Sequence, residues 1–263
     1  SLSMRIVSLL GALALAASLL FFFYQFWGLF SETAQVAILV GFSVGSLLLT
    51  FVIRQRDPSD FFSKLAALLT FVCFVLNISL LGQIFNITPS DKALLPWAGL
   101  ALLLAYSCNA RLLLIAGLAC VLAYSATLLC TWSGFYWLEA GEHPENFLPC
   151  AALFILLPQW ISQARFSGFA ATYRVIGLVA LFVPMLVLAN WGHGSYLPFA
   201  ADSIEVAYQL LGFVTSALAI WLGTRRDWTE VALTGQLFFI LFLGIKMVDW
   251  WWDVLPKYLF FLL

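Results

Sequence analysis

Charge is what this chain has least of. Its 263 residues hold 12 Lys and Arg, 13 Asp and Glu and 2 His, so 10% are charged, where soluble domains approach a quarter. That shortage excludes an ordinary water-soluble domain. The 5 cysteines make no CxxC pair, which leaves a zinc ribbon or a dithiol redox motif without support. No HExxH, nucleophile elbow or P-loop occurs, so neither an interfacial hydrolase nor an ATP-driven pump has a signature here. No cofactor, metal or nucleic-acid partner is implied, and the protein leans away from being an enzyme.

What is abundant is apolar surface. Hydrophobic residues make up 63% of the chain and the mean hydropathy is +1.01. A bilayer is the matching solvent, and its hydrocarbon core of roughly 30 Å needs about 20 helical residues per crossing. Backbone groups in lipid must be satisfied internally, and no barrel-like alternation is present, so the fold class is all-α: a polytopic transmembrane helical bundle. The apolar runs predict nine spans near 5–28, 33–53, 62–85, 93–108, 111–130, 147–163, 172–190, 204–223 and 229–248, in one helical domain over 1–263. A tenth run, 258–263, is too short to cross alone, so the chain is expected to continue beyond Leu263; Ser1, Leu2 and Ser3 before Met4 read as a remnant of cloning.

If every span crosses, Arg5, Arg54, Arg56, Lys64, Arg111, Arg165, Arg174, Arg225 and Arg226 share one side and only Lys92, Lys246 and Lys257 the other. The positive-inside rule then puts the N-terminus in the cytoplasm, with the protein in a bacterial inner membrane. Tryptophan agrees: Trp27, Trp97, Trp132, Trp137, Trp191 and Trp250 fall at outer ends, and Trp160, Trp221 and Trp228 at inner ends, as an interfacial belt requires.

The longest connection, 131–146, sets Phe135, Tyr136, Trp137 and Leu138 beside Glu139, Glu142, His143 and Glu145. It reads as an interfacial segment with room for a short helix, in which His143 faces solvent. Cys130 and Cys150 come near the outer face on spans joined by this loop, where a disulfide is conceivable. A weak repeat aligns Gly41-Phe42-Ser43-Val44-Gly45 with Gly212-Phe213-Val214-Thr215-Ser216, and Arg54 with Arg225. Small residues four apart let helices approach closely, so Gly41 and Gly45 are expected at a helix contact.

Polar residues inside spans are the strongest functional lead, because lipid makes them costly. Ser79, Gln83 and Asn86 form one stripe at i, i+4 and i+7, and Lys246, Asp249 and Asp253 another at i, i+3 and i+7, with Trp250 beside it. Helix anchoring at headgroup depth accounts for both. The alternative joins them into one polar, aromatic-rimmed pocket near the outer leaflet, with Gln83, Asn86, Lys246, Asp249, Asp253 and Trp250 as ligand-binding residues.

Leu81-Gly82-Gln83-Ile84-Phe85-Asn86 and the run from Lys246-Met247-Val248-Asp249-Trp250 to Leu262, together with Trp27-Gly28-Leu29-Phe30-Ser31, resemble elements of the prokaryotic predicted membrane proteins grouped as domain of unknown function 2157 and its relative 4401. The resemblance spans nearly the whole chain. Phe85 stands where the family has tyrosine and Lys246 where it has arginine, and the family pattern continues past Leu263. It implies a membrane bundle and no established activity. Some relatives occur with a module bearing GDYxxLxY, a motif absent from this chain. Two functions follow as expectations: binding or transport of a membrane lipid or amphiphilic solute, or a non-catalytic scaffold for a small periplasm-facing protein.

Overall fold

The computed structural model describes residues 31–56, 61–87 and 90–254, with positions 10, 11, 14, 17 and 18; for 32 and 249–254 only the backbone is described. The first expected span therefore lies almost wholly outside the described residues, as does the run 258–263. Among the described residues every regular element is helical: α1 Glu32–Arg56, α2 Phe61–Ile84, α3 Leu94–Cys108, α4 Arg111–Trp132, α5 Leu148–Trp160, α6 Phe169–Leu188, α7 Ala201–Arg225 and α8 Thr229–Val254. Six of them, α1, α2, α4, α6, α7 and α8, are long and apolar enough to cross a bilayer, and the chain is a multi-pass helical membrane protein. The fourth and sixth expected spans correspond to α3 and α5, of 15 and 13 residues. These rise only about 22 and 20 Å, although a 3-10 turn, Pro144–Phe147, lengthens α5 at its start.

The chain divides into two compact units, residues 1–113 and 114–263. In the first, α1 and α2 pack through a polar seam. Asn77 Nδ2 donates to the Leu39 carbonyl at 2.8 Å and also reaches Ser43 Oγ, and the Thr50 and Thr70 hydroxyls meet at 2.9 Å. Gln35, Leu39 and Thr50 are buried, with Ser43 and Ser46 half-buried between them, at helical spacing. Burying hydroxyls and an amide against each other removes them from lipid, at a gain of about 0.6 kcal/mol per interhelical bond in membrane proteins.

That seam corrects the expectation for the small-residue stripe. Ala37, Gly41 and Gly45 lie on another face and are exposed, and a methyl built on Gly41 or Gly45 would meet no described atom within 4 Å. Long apolar side chains stand on every face of α1, and only the row of Gln35, Ser43, Ser46 and Thr50 marks the side that packs.

The second unit carries the glycine contacts. A methyl on Gly212 would run into the Phe242 ring, one on Gly235 would lie 3.0 Å from Ala219 Cβ, and one on Gly223 2.5 Å from the Ala232 nitrogen. These pairs advance along α7 as they retreat along α8, so the two helices form an antiparallel hairpin in near backbone contact. Gly177 of α6 meets Ala151 and Ile155 of α5 in the same way. Phe182 and Phe238 stack at 4.8 Å in the core, with Leu178, Leu188 and Phe242 around them.

Within this unit the connections sort to two ends, as alternating crossings demand. At one end Arg174, at the start of α6, donates from Nε to Glu230 at the start of α8 at 2.9 Å. Its guanidinium lies 4.3 Å from the centre of the Trp228 ring, and that of Arg226 lies 5.2 Å from it. At the other end the loops after α4 and α6 meet. Trp132 and Trp191 are exposed beside that end, and Trp160 and Trp221 beside the arginine end, the placement expected of a headgroup belt.

Candidate polar site in the second unit

The loop after α4 is an ordered cap. It holds two 3-10 turns, Trp137–Gly141 and Pro144–Phe147, and its centre is Glu145. One carboxylate oxygen of Glu145 accepts from Ser195 Oγ at 2.5 Å and from the Tyr208 hydroxyl at 2.9 Å; the other accepts from the Tyr196 backbone N–H at 2.8 Å. The Tyr196 hydroxyl donates to Asn146 Oδ1 at 3.2 Å, and Asn146 Nδ2 reaches the Ala140 carbonyl. One acid thus ties this loop both to the segment after α6 and to the first turns of α7.

His143 is not the solvent-facing residue expected. It is half-buried, with its ring stacked on Tyr196 at 4.1 Å and packed on Phe135 at 4.6 Å, and its Nδ1 is 2.9 Å from the Gly194 carbonyl. A flat ring with one polar edge fills this niche because stacking and the carbonyl contact are satisfied together. His193, by contrast, is exposed in the 3-10 turn Gly192–Gly194. Cys130 and Cys150 are free thiols, as are the other three cysteines; Cys130 packs against Ala126 and Ala140 and points its sulfur at the Tyr136 carbonyl, 3.4 Å away. Among the described residues no three His, Cys, Asp or Glu side chains are placed to hold a metal ion.

Of the expected site residues, Lys246 lies in a cavity. It is half-buried and lines an open polar recess of about 260 Å³ with Asn190, Asp202, Glu205, Val206 and Gln209. Glu205 is held in place by the Gly192 backbone N–H, 3.0 Å from its Oε1; a methyl on Gly192 would strike the Ala201 carbonyl, so only glycine lets the chain pass there. Asp249, Trp250 and Asp253 follow in α8, with side chains outside the described residues. The sequence reading passed over Asp202, Glu205 and Gln209. They stand at i, i+3 and i+7 of α7, the same spacing that singled out Lys246, Asp249 and Asp253.

Gln83 and Asn86 belong to the first unit and have a structural explanation of their own. Asn86 adopts a left-handed φ of 49°. Its N–H reaches the Gln83 carbonyl, and the Ile87 N–H reaches Gly82 at 2.8 Å. This is the two-bond closure that ends a helix when Gly or Asn follows its last turn. Asn109 after α3 and Asp227 after α7, with φ of 51° and 54°, mark two further ends in which the next N–H bonds five residues back, from Ala110 to Ala105 and from Trp228 to Gly223. Gln83 and Ser79 are exposed on α2, away from the buried seam of Ser63, Ala67, Thr70 and Asn77.

No curated protein and no solved structure matches the chain. A family model does match, over the part that contains α1 to α3 and the Gln83–Asn86 closure, whereas the Lys246 recess lies beyond the matched stretch. The match is to the family described as Predicted membrane protein (DUF2157), and it covers residues 1–114.

Proposed function

We propose that the protein binds or carries a lipid or amphiphilic solute, without catalysing a reaction, at the recess around Lys246. The observation that supports this is a half-buried ammonium on α8 and two carboxylates on α7 lining one cavity, next to surface suited to apolar chains. Trp191 follows Asn190 directly and is 49% exposed, and Phe199, just before α7, is 67% exposed. Charged side chains at membrane depth are costly unless they serve a polar ligand or a water-filled path. If lipid is the ligand, chain purified in mild detergent and sprayed intact into a mass spectrometer should retain it, and Lys246→Gln should reduce the retained fraction. A co-purifying small polypeptide with no lipid would favour the scaffold reading instead.

The same reading places the recess on the periplasmic side of an inner membrane, with the N-terminus and the Arg225–Asp227 turn in the cytoplasm, because nine of twelve basic residues fall on one side of the expected crossings. In a cysteine-free background, single cysteines in the 131–146 loop should react with an impermeant thiol reagent added to intact cells, and one at Asp227 should not. Labelling at Asp227 from outside would reverse the orientation.

A further inference from the structure

We infer that the recess is built for a zwitterionic head carrying both a phosphate and a primary amine, as in an aminophospholipid such as phosphatidylethanolamine. This rests on the amphiphile reading above and adds the class of head. Asp202 and Glu205 project from α7, and Lys246 from α8. No salt bridge within 4 Å joins Lys246 to Asp202 or Glu205, so the recess holds opposite charges that have not collapsed onto each other. Each head class meets this arrangement differently. A purely anionic head would face, among the described residues, two carboxylates for one ammonium. A purely cationic head would face Lys246. A neutral sugar would leave three charges to be desolvated without a partner of opposite sign. A phosphate set on Lys246 with an amine turned to Asp202 and Glu205 gives each charge a charge-assisted hydrogen bond, while Asn190 and Gln209 supply neutral donors and acceptors.

Two further features narrow the choice. The described lining offers hydrogen-bond acceptors on Asp202, Glu205, Asn190 and Gln209, which an amine with N–H groups can use and a quaternary ammonium, which donates no hydrogen bond and is held best by aromatic faces, cannot. The volume of about 260 Å³ lies just below the roughly 300–1,000 Å³ of pockets that enclose whole drug-sized ligands. It suits a head whose chains remain outside. Ala189 and Val206 are the apolar part of the recess wall, and Leu210, one turn beyond Val206, is 61% exposed, which continues that wall onto the exposed face of α7.

The test uses the full chain in mild detergent, offered an equimolar mixture of vesicles of phosphatidylethanolamine, phosphatidylcholine and phosphatidylglycerol, with retained lipid counted by native mass spectrometry. Phosphatidylethanolamine is expected to exceed each of the others by about tenfold or more, the lower end of the scale of one charge-assisted hydrogen bond. Asp202→Asn should shift the ratio toward phosphatidylglycerol, and Lys246→Gln should lower retention of both phosphatidylethanolamine and phosphatidylglycerol. The wild-type ratio decides even where a variant misfolds. Preference for phosphatidylglycerol or phosphatidylcholine, or equal retention of all three, overturns the zwitterionic head and leaves an amphiphile site standing. No retained lipid of any class overturns the amphiphile reading itself. Soluble glycerophosphoethanolamine should compete weakly; competition as strong as the lipid's would make the ligand a soluble phosphoamine and overturn the lipid assignment.

Discussion

Gly223→Leu should lower the apparent melting temperature and the folded yield sharply, while Gly41→Leu should leave both unchanged. At Gly223 even a methyl would sit 2.5 Å from the Ala232 nitrogen and 2.9 Å from its Cα, so the clash is with backbone that no rotamer change can relieve. Retreat is blocked as well. α7 and α8 are joined by Arg226, Asp227 and Trp228 alone, Asp227 is committed to a left-handed turn, and Trp228 lies against the Arg174 and Arg226 guanidiniums. Overpacking a well-filled site costs typically about 1–3 kcal/mol, and a backbone collision belongs at the upper end. Gly41 is exposed, where substitutions stay within about 0.5 kcal/mol. Size-exclusion profiles after graded heating give the comparison, read as apparent values because membrane proteins often unfold irreversibly. Equal melting of Gly223→Leu and wild type would mean that α7 and α8 do not touch there. A fall in Gly41→Leu would place a helix against that face of α1.

Glu145→Leu should be the most damaging single change in the cap. Three donors converge on this carboxylate, and hydrogen bonds to a charged group contribute about 1.5–3 kcal/mol each when formed. Tyr196 is exposed enough to find water in its place, whereas the buried Tyr208 is less able to, so a loss of about 2–4 kcal/mol is expected in total. Glu145→Gln should fall between the two, since an amide keeps one acceptor oxygen and turns an N–H group toward the remaining donors. The order wild type, Gln, Leu in apparent melting temperature is the result to look for. If Leu melts at the wild-type temperature, Glu145 does not join the loops, and the cap is held by the His143–Tyr196–Phe135 stack with the His143–Gly194 and Tyr196–Asn146 contacts.

Helix positions were legible in this chain because hydropathy alone reports them: α2, α6, α7 and α8 fall where long apolar runs predict spans. Which face of a helix packs was not. In water an amphipathic stripe marks the core side, but a helix surrounded by lipid is apolar on both sides, so Gly41 and Gly45 looked as suited to a contact as Gly212. The polar seam of Ser43, Thr50, Thr70 and Asn77 carried the better signal, since hydroxyls and amides avoid lipid. Asn86 illustrates the opposite error. A polar residue at the end of a span invites a ligand reading, yet the left-handed turn after a helix favours asparagine for reasons of backbone geometry. The cap was illegible for a third reason: Glu145 meets Ser195 and Tyr208, and His143 meets Gly194, across stretches of sequence that no local pattern connects. Lys246 was found from its own helix, and its described neighbours in the recess come from the residues just after α6 and from α7.

The Arg174–Glu230 pair also bears on the order in which the molecule is made. A chain leaves the ribosome amino end first, so Arg174 is in place before Glu230 is synthesised. The acid that begins α8 therefore arrives at an end of the unit where its counter-charge already waits. With only three residues between α7 and α8, the contacts of Gly212, Gly223 and Gly235 all lie within one hairpin and need no earlier helix to form. Glu230 then ties the hairpin to α6 at its arginine end, as Phe238 does in the core through Phe182.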